Sequence, residues 1–77
     1  MTTELVFELP ERLSVRLEIY DSQGRRVRKF AGRYDVGVHR IEWDLRSNAG
    51  RKVPAGVYAY RFNAGSFQAT RKLVVLP

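Results

Sequence analysis

Cysteine is absent from the 77-residue sequence, which removes disulfide frameworks, thiolate metal sites and thiol nucleophiles in one step. That absence fixes no compartment, because many exported bacterial proteins also lack cysteine. Histidine occurs once, as His39, so no His-paired zinc site can be assembled and any catalytic triad would have to use that residue. No Gly-x-Ser-x-Gly elbow or comparable setting surrounds a serine, threonine or aspartate. His39 therefore reads as a strand residue at the margin of a core, and the chain is expected to be no enzyme and to need no cofactor. No run approaches the roughly 18 to 20 continuous apolar residues of a membrane span, so membrane insertion is not expected. Met1-Thr2-Thr3-Glu4 does not open a signal peptide; if the protein is exported, its signal is expected outside these residues.

Acidic residues are also few: eight Asp and Glu against fourteen Lys and Arg, a net charge of +6. The imbalance is uneven. Up to Gly24, Glu4, Glu8, Glu11, Glu18 and Asp21 outnumber Arg12 and Arg16, whereas from Arg25 onward only Asp35, Glu42 and Asp44 oppose the basic residues. Such a distribution permits an anionic partner without demanding one.

Hydrophobic residues at 44% and aromatics at 12% suffice for one core, and a chain this short hides only about 60% of its unfolded surface. One domain over residues 1–77 is expected. Its pattern is that of strands. Leu13, Val15, Leu17 and Ile19 alternate with Ser14, Arg16, Glu18 and Tyr20, which a helix would scatter around its circumference. Leu5, Phe7 and Leu9 alternate in the same way over 3–9. Asp21-Ser22-Gln23-Gly24 has turn chemistry, followed by a polar third strand over 25–30 suited to a sheet edge and a loop over 31–36. Strand four covers 38–43, with His39, Ile41 and Trp43 on one face. A short fifth strand is placed at 51–53, and a sixth at 57–63 with Tyr58, Tyr60 and Phe62 together. Ala64-Gly65 turns into a last strand over 67–76. The organising pair is the His39–Trp43 face and the Tyr58–Phe62 face, brought together over a shared aromatic core. Seven short strands without a credible helix predict an antiparallel sandwich.

Four stretches together resemble a known superfamily: Leu17-Glu18-Ile19-Tyr20-Asp21-Ser22-Gln23-Gly24-Arg25-Arg26-Val27, then Gly37-Val38-His39-Arg40-Ile41-Glu42-Trp43-Asp44, then Ala49-Gly50-Arg51-Lys52-Val53-Pro54-Ala55-Gly56-Val57-Tyr58, and last Arg71-Lys72-Leu73-Val74-Val75. They resemble the immunoglobulin-like domain of the flagellar hook-capping protein and the related C-terminal sorting domains of type IX secretion substrates. The resemblance implies a β-sandwich near the C-terminus of a larger bacterial protein, extracellular or at the cell surface, and with the strand pattern the expected fold is a seven-stranded antiparallel immunoglobulin/fibronectin-like β-sandwich. It implies a non-catalytic role in secretion sorting, surface attachment or assembly through a protein partner. Two departures stand out. Leu45 occupies the place where a glycine usually follows the Trp-Asp pair, and the sequence ends at Leu76-Pro77 without the short basic tail of sorting domains.

Other readings of particular residues compete with this one. Asp44, Asn48 and Gly50 have some of the spacing of a calcium loop, but Arg46 stands where an acidic ligand is wanted and no Glu closes the site, and capping of turn amides is the better account of both Asp44 and Asp21. Arg25, Arg26, Arg28 and Lys29, with Arg33 nearby, could grip an acidic surface. Simple alternation sends Arg26 and Arg28 to one face and Arg25, Val27 and Lys29 to the other. Arg71 and Lys72 lie on a last strand apolar enough to be a pairing edge, which makes a monomer, or weak self-association through strand edges, the expected state. No basic and aromatic interleaving of an RNA-binding kind is present, and nucleic acid is not expected. Trp43, Tyr58, Tyr60 and Phe62 would stack carbohydrate if exposed but better suit a core, leaving Tyr20 and Tyr34 as the exposed rings. A carbohydrate- or anion-binding module, or a stability-redesigned sandwich with no function of its own, are the alternative functions.

Overall fold

Leu13, Val15, Leu17 and Ile19 alternate so regularly because one face of their strand is buried against a second sheet. In the computed structural model, which describes residues 2–77, the elements are β1 (Thr3–Leu9), β2 (Leu13–Tyr20), β3 (Arg26–Tyr34), β4 (Gly37–Trp43), β5 (Gly56–Ala64) and β6 (Phe67–Val75). β2 pairs antiparallel with β3 on one side and β5 on the other, giving a four-stranded sheet in the order β3-β2-β5-β6; β1 and β4 pair antiparallel as a second sheet.

The core lies between the sheets. Leu5 and Leu9 of β1 and Ile41 and Trp43 of β4 face Val15, Leu17, Ile19, Tyr58, Phe62, Ala64 and Val75, all buried. The Trp43 and Tyr58 rings meet edge to face with centroids 6.1 Å apart, so the two aromatic faces expected to organise the chain do meet, from opposite sheets. Leu45 and Val53, on the connection between β4 and β5, are buried and close one end.

Three expectations are corrected. The stretch over 31–36, expected as a loop, is strand through Tyr34, pairing Ala31 with Arg16 and Tyr34 with Leu13. Gly32 suggested a loop, but it serves a close approach: a Cβ there would sit 3.3 Å from Cε1 of Tyr34, whose ring folds back over it. The short strand at 51–53 is a single bridge between Arg46 and Lys52, so the sandwich has six strands where seven were expected. Pro54, which lacks an N–H, follows directly and prevents a longer ladder. The third correction concerns β3. Ile19 pairs with Arg28 and Tyr20 with Arg26, leaving Val27 as the extra residue of a bulge. Neighbours on β2 point to opposite faces, so Arg26 and Arg28 do as well, against the simple alternation.

Candidate interaction surface

Because β2 lies at the centre of its sheet, the register of its neighbours decides what its outward residues meet. Glu18 stands opposite Lys29 of β3 and Arg61 of β5, and Tyr20 opposite Arg26 and Ala59, while Ala59 in turn faces Lys72 of β6. Arg16 and Arg33 extend the same face toward the other end. This outer face therefore gathers Arg16, Arg26, Lys29, Arg33, Arg61 and Lys72 around one carboxylate. Glu18 is 7% exposed, accepts a hydrogen bond from Arg26 Nη1 at 2.8 Å and pairs with Arg16 Nε at 3.3 Å. That hydrogen bond, helped by the charges of Arg16, Arg26 and Lys29, outweighs burial and holds the carboxyl below its ordinary value near 4.5. Arg61 lies over the Tyr20 ring, 5.5 Å from its centroid.

The lowered pKa of Glu18 has a pH consequence. A carboxylate stabilised in the folded state contributes above its unfolded pKa and loses the contribution as pH falls through the folded value. Urea midpoints are thus expected to be level from neutral pH down to about 5 and to fall below about 4.5. Glu18→Gln should flatten part of that limb. Since Arg16 and Arg26 are about half exposed, the pair contributes on the order of 1 kcal/mol. An unchanged acid limb in the Gln variant would show that Glu18 plays no part in it.

The other residues expected to meet a partner are divided by the fold. Arg25 sits in the turn, its Nε 3.0 Å from Asp21 Oδ2. Asp21 Oδ1 accepts the backbone N–H groups of Gln23 and Arg25, both at 2.9 Å, and these bonds, the one from Arg25 foremost, lower its pKa. Arg28 is a tie within the molecule: its Nη1 bonds Asp44 Oδ1 at 3.2 Å and the Arg46 carbonyl at 3.0 Å, and its guanidinium lies over Phe30. Asp44 Oδ1 also accepts the Arg46 N–H at 3.1 Å. Both aspartates thus cap turn amides. Arg71 pairs across from Tyr60 on the inward side of β6, exposed at the sheet margin. Only Arg26, Lys29 and Lys72 of the expected set share the outer face. Arg16, Arg33 and Arg61 complete it; for Arg16 and Arg61 the signal was the outward parity of their strands, while Arg33, beside the basic cluster, falls in the stretch expected as a loop.

The two edges of the large sheet differ. Asn48 donates its N–H to the Val27 carbonyl at 2.9 Å and accepts that of Lys29 through Oδ1 at 3.2 Å, covering β3 at its bulge. β6 has β5 as its only strand neighbour among the described residues, which makes it the open edge.

Trp43, Tyr58 and Phe62 are buried and form no platform for carbohydrate. Tyr34 is half-buried and packs edge to face on Phe7 at 5.3 Å, and Tyr20 is half-buried beneath Arg61, so neither is the freely exposed ring expected. His39 lies between Phe7 and Tyr34, with Nε2 2.7 Å from the Asp35 carbonyl. A carbonyl only accepts, so Nε2 carries the proton and donates it there. An open cleft of about 670 Å³ lies at one end of the sandwich, lined among others by Asp21, Arg25, Asn48, Arg51 and Lys52. Its groups can bind charge, but none is a nucleophile set beside a base.

A family model described as FlgD Ig-like domain matches residues 1–67. Among solved structures, FlgD from P. aeruginosa superposes with a TM-score of 0.76 at 24% identity, covering 96% of this chain and 59% of that one. Dimeric latent PorU from Porphyromonas gingivalis superposes with a TM-score of 0.70 at 27% identity, covering 99% of this chain and 9% of that one. The chain therefore spans about three fifths of the one protein and about a tenth of the other. No curated protein sequence matches it significantly. Of the expected architecture, the all-β immunoglobulin-like sandwich of two antiparallel sheets is found, with six strands rather than seven.

Proposed function

The chain belongs to the FlgD Ig-like domain family, and on that premise we propose that it is a non-catalytic accessory domain of a larger exported bacterial protein. It acts in secretion sorting, surface attachment or assembly by contact with other proteins. The family match over residues 1–67 carries the reading. The likeness in fold to a flagellar protein and to PorU supports a setting outside the cytoplasm, and a surface rich in fixed charge, with no nucleophile set beside a base, supports binding over chemistry.

Two fusions test it. The chain can be placed behind a reporter that carries its own export signal, in a bacterium with type IX secretion, and surface reporter measured. It can also replace the Ig-like domain of a hook-capping protein, with motility as the readout. The reading expects one of the two to work: surface reporter assigns sorting or attachment, and restored motility assigns assembly. Failure of both, with the fusions folded and abundant, would leave a passive spacer and overturn it.

A further inference from the structure

We propose that the outer face of the four-stranded sheet docks an acidic protein segment in extended conformation, with carboxylates on alternate residues. This rests on the accessory-domain reading and names the surface and chemistry of the contact.

Charge is the first argument. Glu18 is the one carboxylate on the face, and Arg26 and Arg16 already neutralise it. Lys29, Arg33, Arg61 and Lys72 form no ion pair among the described residues. Cations held together on one sheet repel one another, and an anionic partner removes that repulsion.

Spacing is the second. Lys72 lies in the row of Tyr20 and Ala59, Lys29 and Arg61 flank Glu18 in the next row, and Arg16 and Arg33 occupy the rows beyond. Successive outward rows of a sheet are about 6.8 Å apart, the repeat of alternate residues in an extended chain. A segment lying along the strands can therefore present one carboxylate to each row.

Extent and texture complete the case. Four strands and these rows span roughly 20 by 27 Å, before the relief of the long side chains is counted, which approaches the ~800 Å² that a standard interface takes from each partner. Val57 and Val74 pair on the same face, 51% and 61% exposed, an apolar patch suited to a protein side chain. Single-stranded nucleic acid would want free aromatic rings for its bases, and Tyr20, the ring on this face, is covered by Arg61.

The probe is a labelled ten-residue peptide alternating Glu and Thr, titrated at low salt by NMR into the wild type and two triple variants of equal net charge. The face variant carries Lys29→Gln, Arg61→Gln and Lys72→Gln; the control carries Arg51→Gln, Lys52→Gln and Arg71→Gln. Arg16 and Arg26 are left intact because they hold Glu18. The proposal expects the face variant to weaken binding by about tenfold or more, as a few-fold per lost pair multiplies, the control to stay within about twofold, and the perturbed amides to lie on β2, β3, β5 and β6. Equal weakening in both variants would make net charge the cause and overturn the proposal. So would perturbations confined to other surfaces, or tighter binding of an oligothymidylate of equal charge. Loss of the docking face with either fusion still working would leave the accessory-domain reading standing. Failure of both fusions, with the peptide still bound on the face, would remove that reading alone.

Discussion

Replacing Trp43 with alanine is expected to cost about 3–5 kcal/mol, on the order of half the stability of a domain this small. Trp43 is fully buried, meets Tyr58 edge to face and donates its Nε1–H to the Arg46 carbonyl at 2.9 Å. A domain of this size has about 4–12 kcal/mol in total, so one side chain decides much of the balance. The loss is one of packing. The Arg46 carbonyl keeps its bond from Arg28 Nη1, so truncation leaves no buried acceptor without a partner and the cavity dominates. Trp43→Phe keeps most of the apolar volume and gives up the indole donor, and about 1–2 kcal/mol is expected. Urea denaturation followed by circular dichroism measures both. A Trp43→Ala variant within about 1 kcal/mol of the wild type would mean that the sandwich closes without this ring.

The residues around Trp43 were legible in the sequence because each obeys a local rule. Leu13 to Ile19 alternate because one face of β2 is buried under β1 and β4, and period-two burial leaves a direct trace in the chain. The faces of Tyr58 and Phe62, and of Ile41 and Trp43, follow in the same way. The features that were not legible depend on pairing across long stretches of sequence. Gly32 carried the signature of a loop, and only the Tyr34 ring above it explains a glycine inside a strand. The Val27 bulge reverses the parity of everything before it in β3, and nothing in Arg26-Val27-Arg28 announces which residue will be extra. The basic outer face was hidden for a related reason. Arg16, Lys29, Arg61 and Lys72 lie on four strands, and they become neighbours only once the order β3-β2-β5-β6 is known. Charge clustered along the chain pointed to Arg26 and Lys29, which lie on this face, but equally to Arg25 and Arg28, which the fold uses to tie its own turns.

Leu45 is where a local rule is broken for a reason found in the core, and its substitutions should reverse the usual order. Its φ is +62°, a conformation that costs a residue with a Cβ roughly 1–2 kcal/mol, yet its side chain is only 6% exposed and its carbonyl accepts the Val53 N–H at 2.9 Å. Leu45→Ala removes the buried side chain and keeps the backbone cost, so a loss of about 2–4 kcal/mol is expected. Leu45→Gly removes the same side chain but relieves the backbone, set against the extra freedom glycine has when unfolded, about 0.5–1 kcal/mol. The glycine variant should therefore be more stable than the alanine variant by about 0.5–1 kcal/mol and less stable than the wild type. At ordinary buried positions glycine is the worse of the two. A glycine variant below alanine would mean that the turn relaxes out of the left-handed region once leucine is gone. One above the wild type would mean that the strain exceeds the burial. The expected order, leucine above glycine above alanine, would show why leucine stands at this corner: the turn keeps its left-handed conformation, and the side chain there closes the end of the core beside Val53.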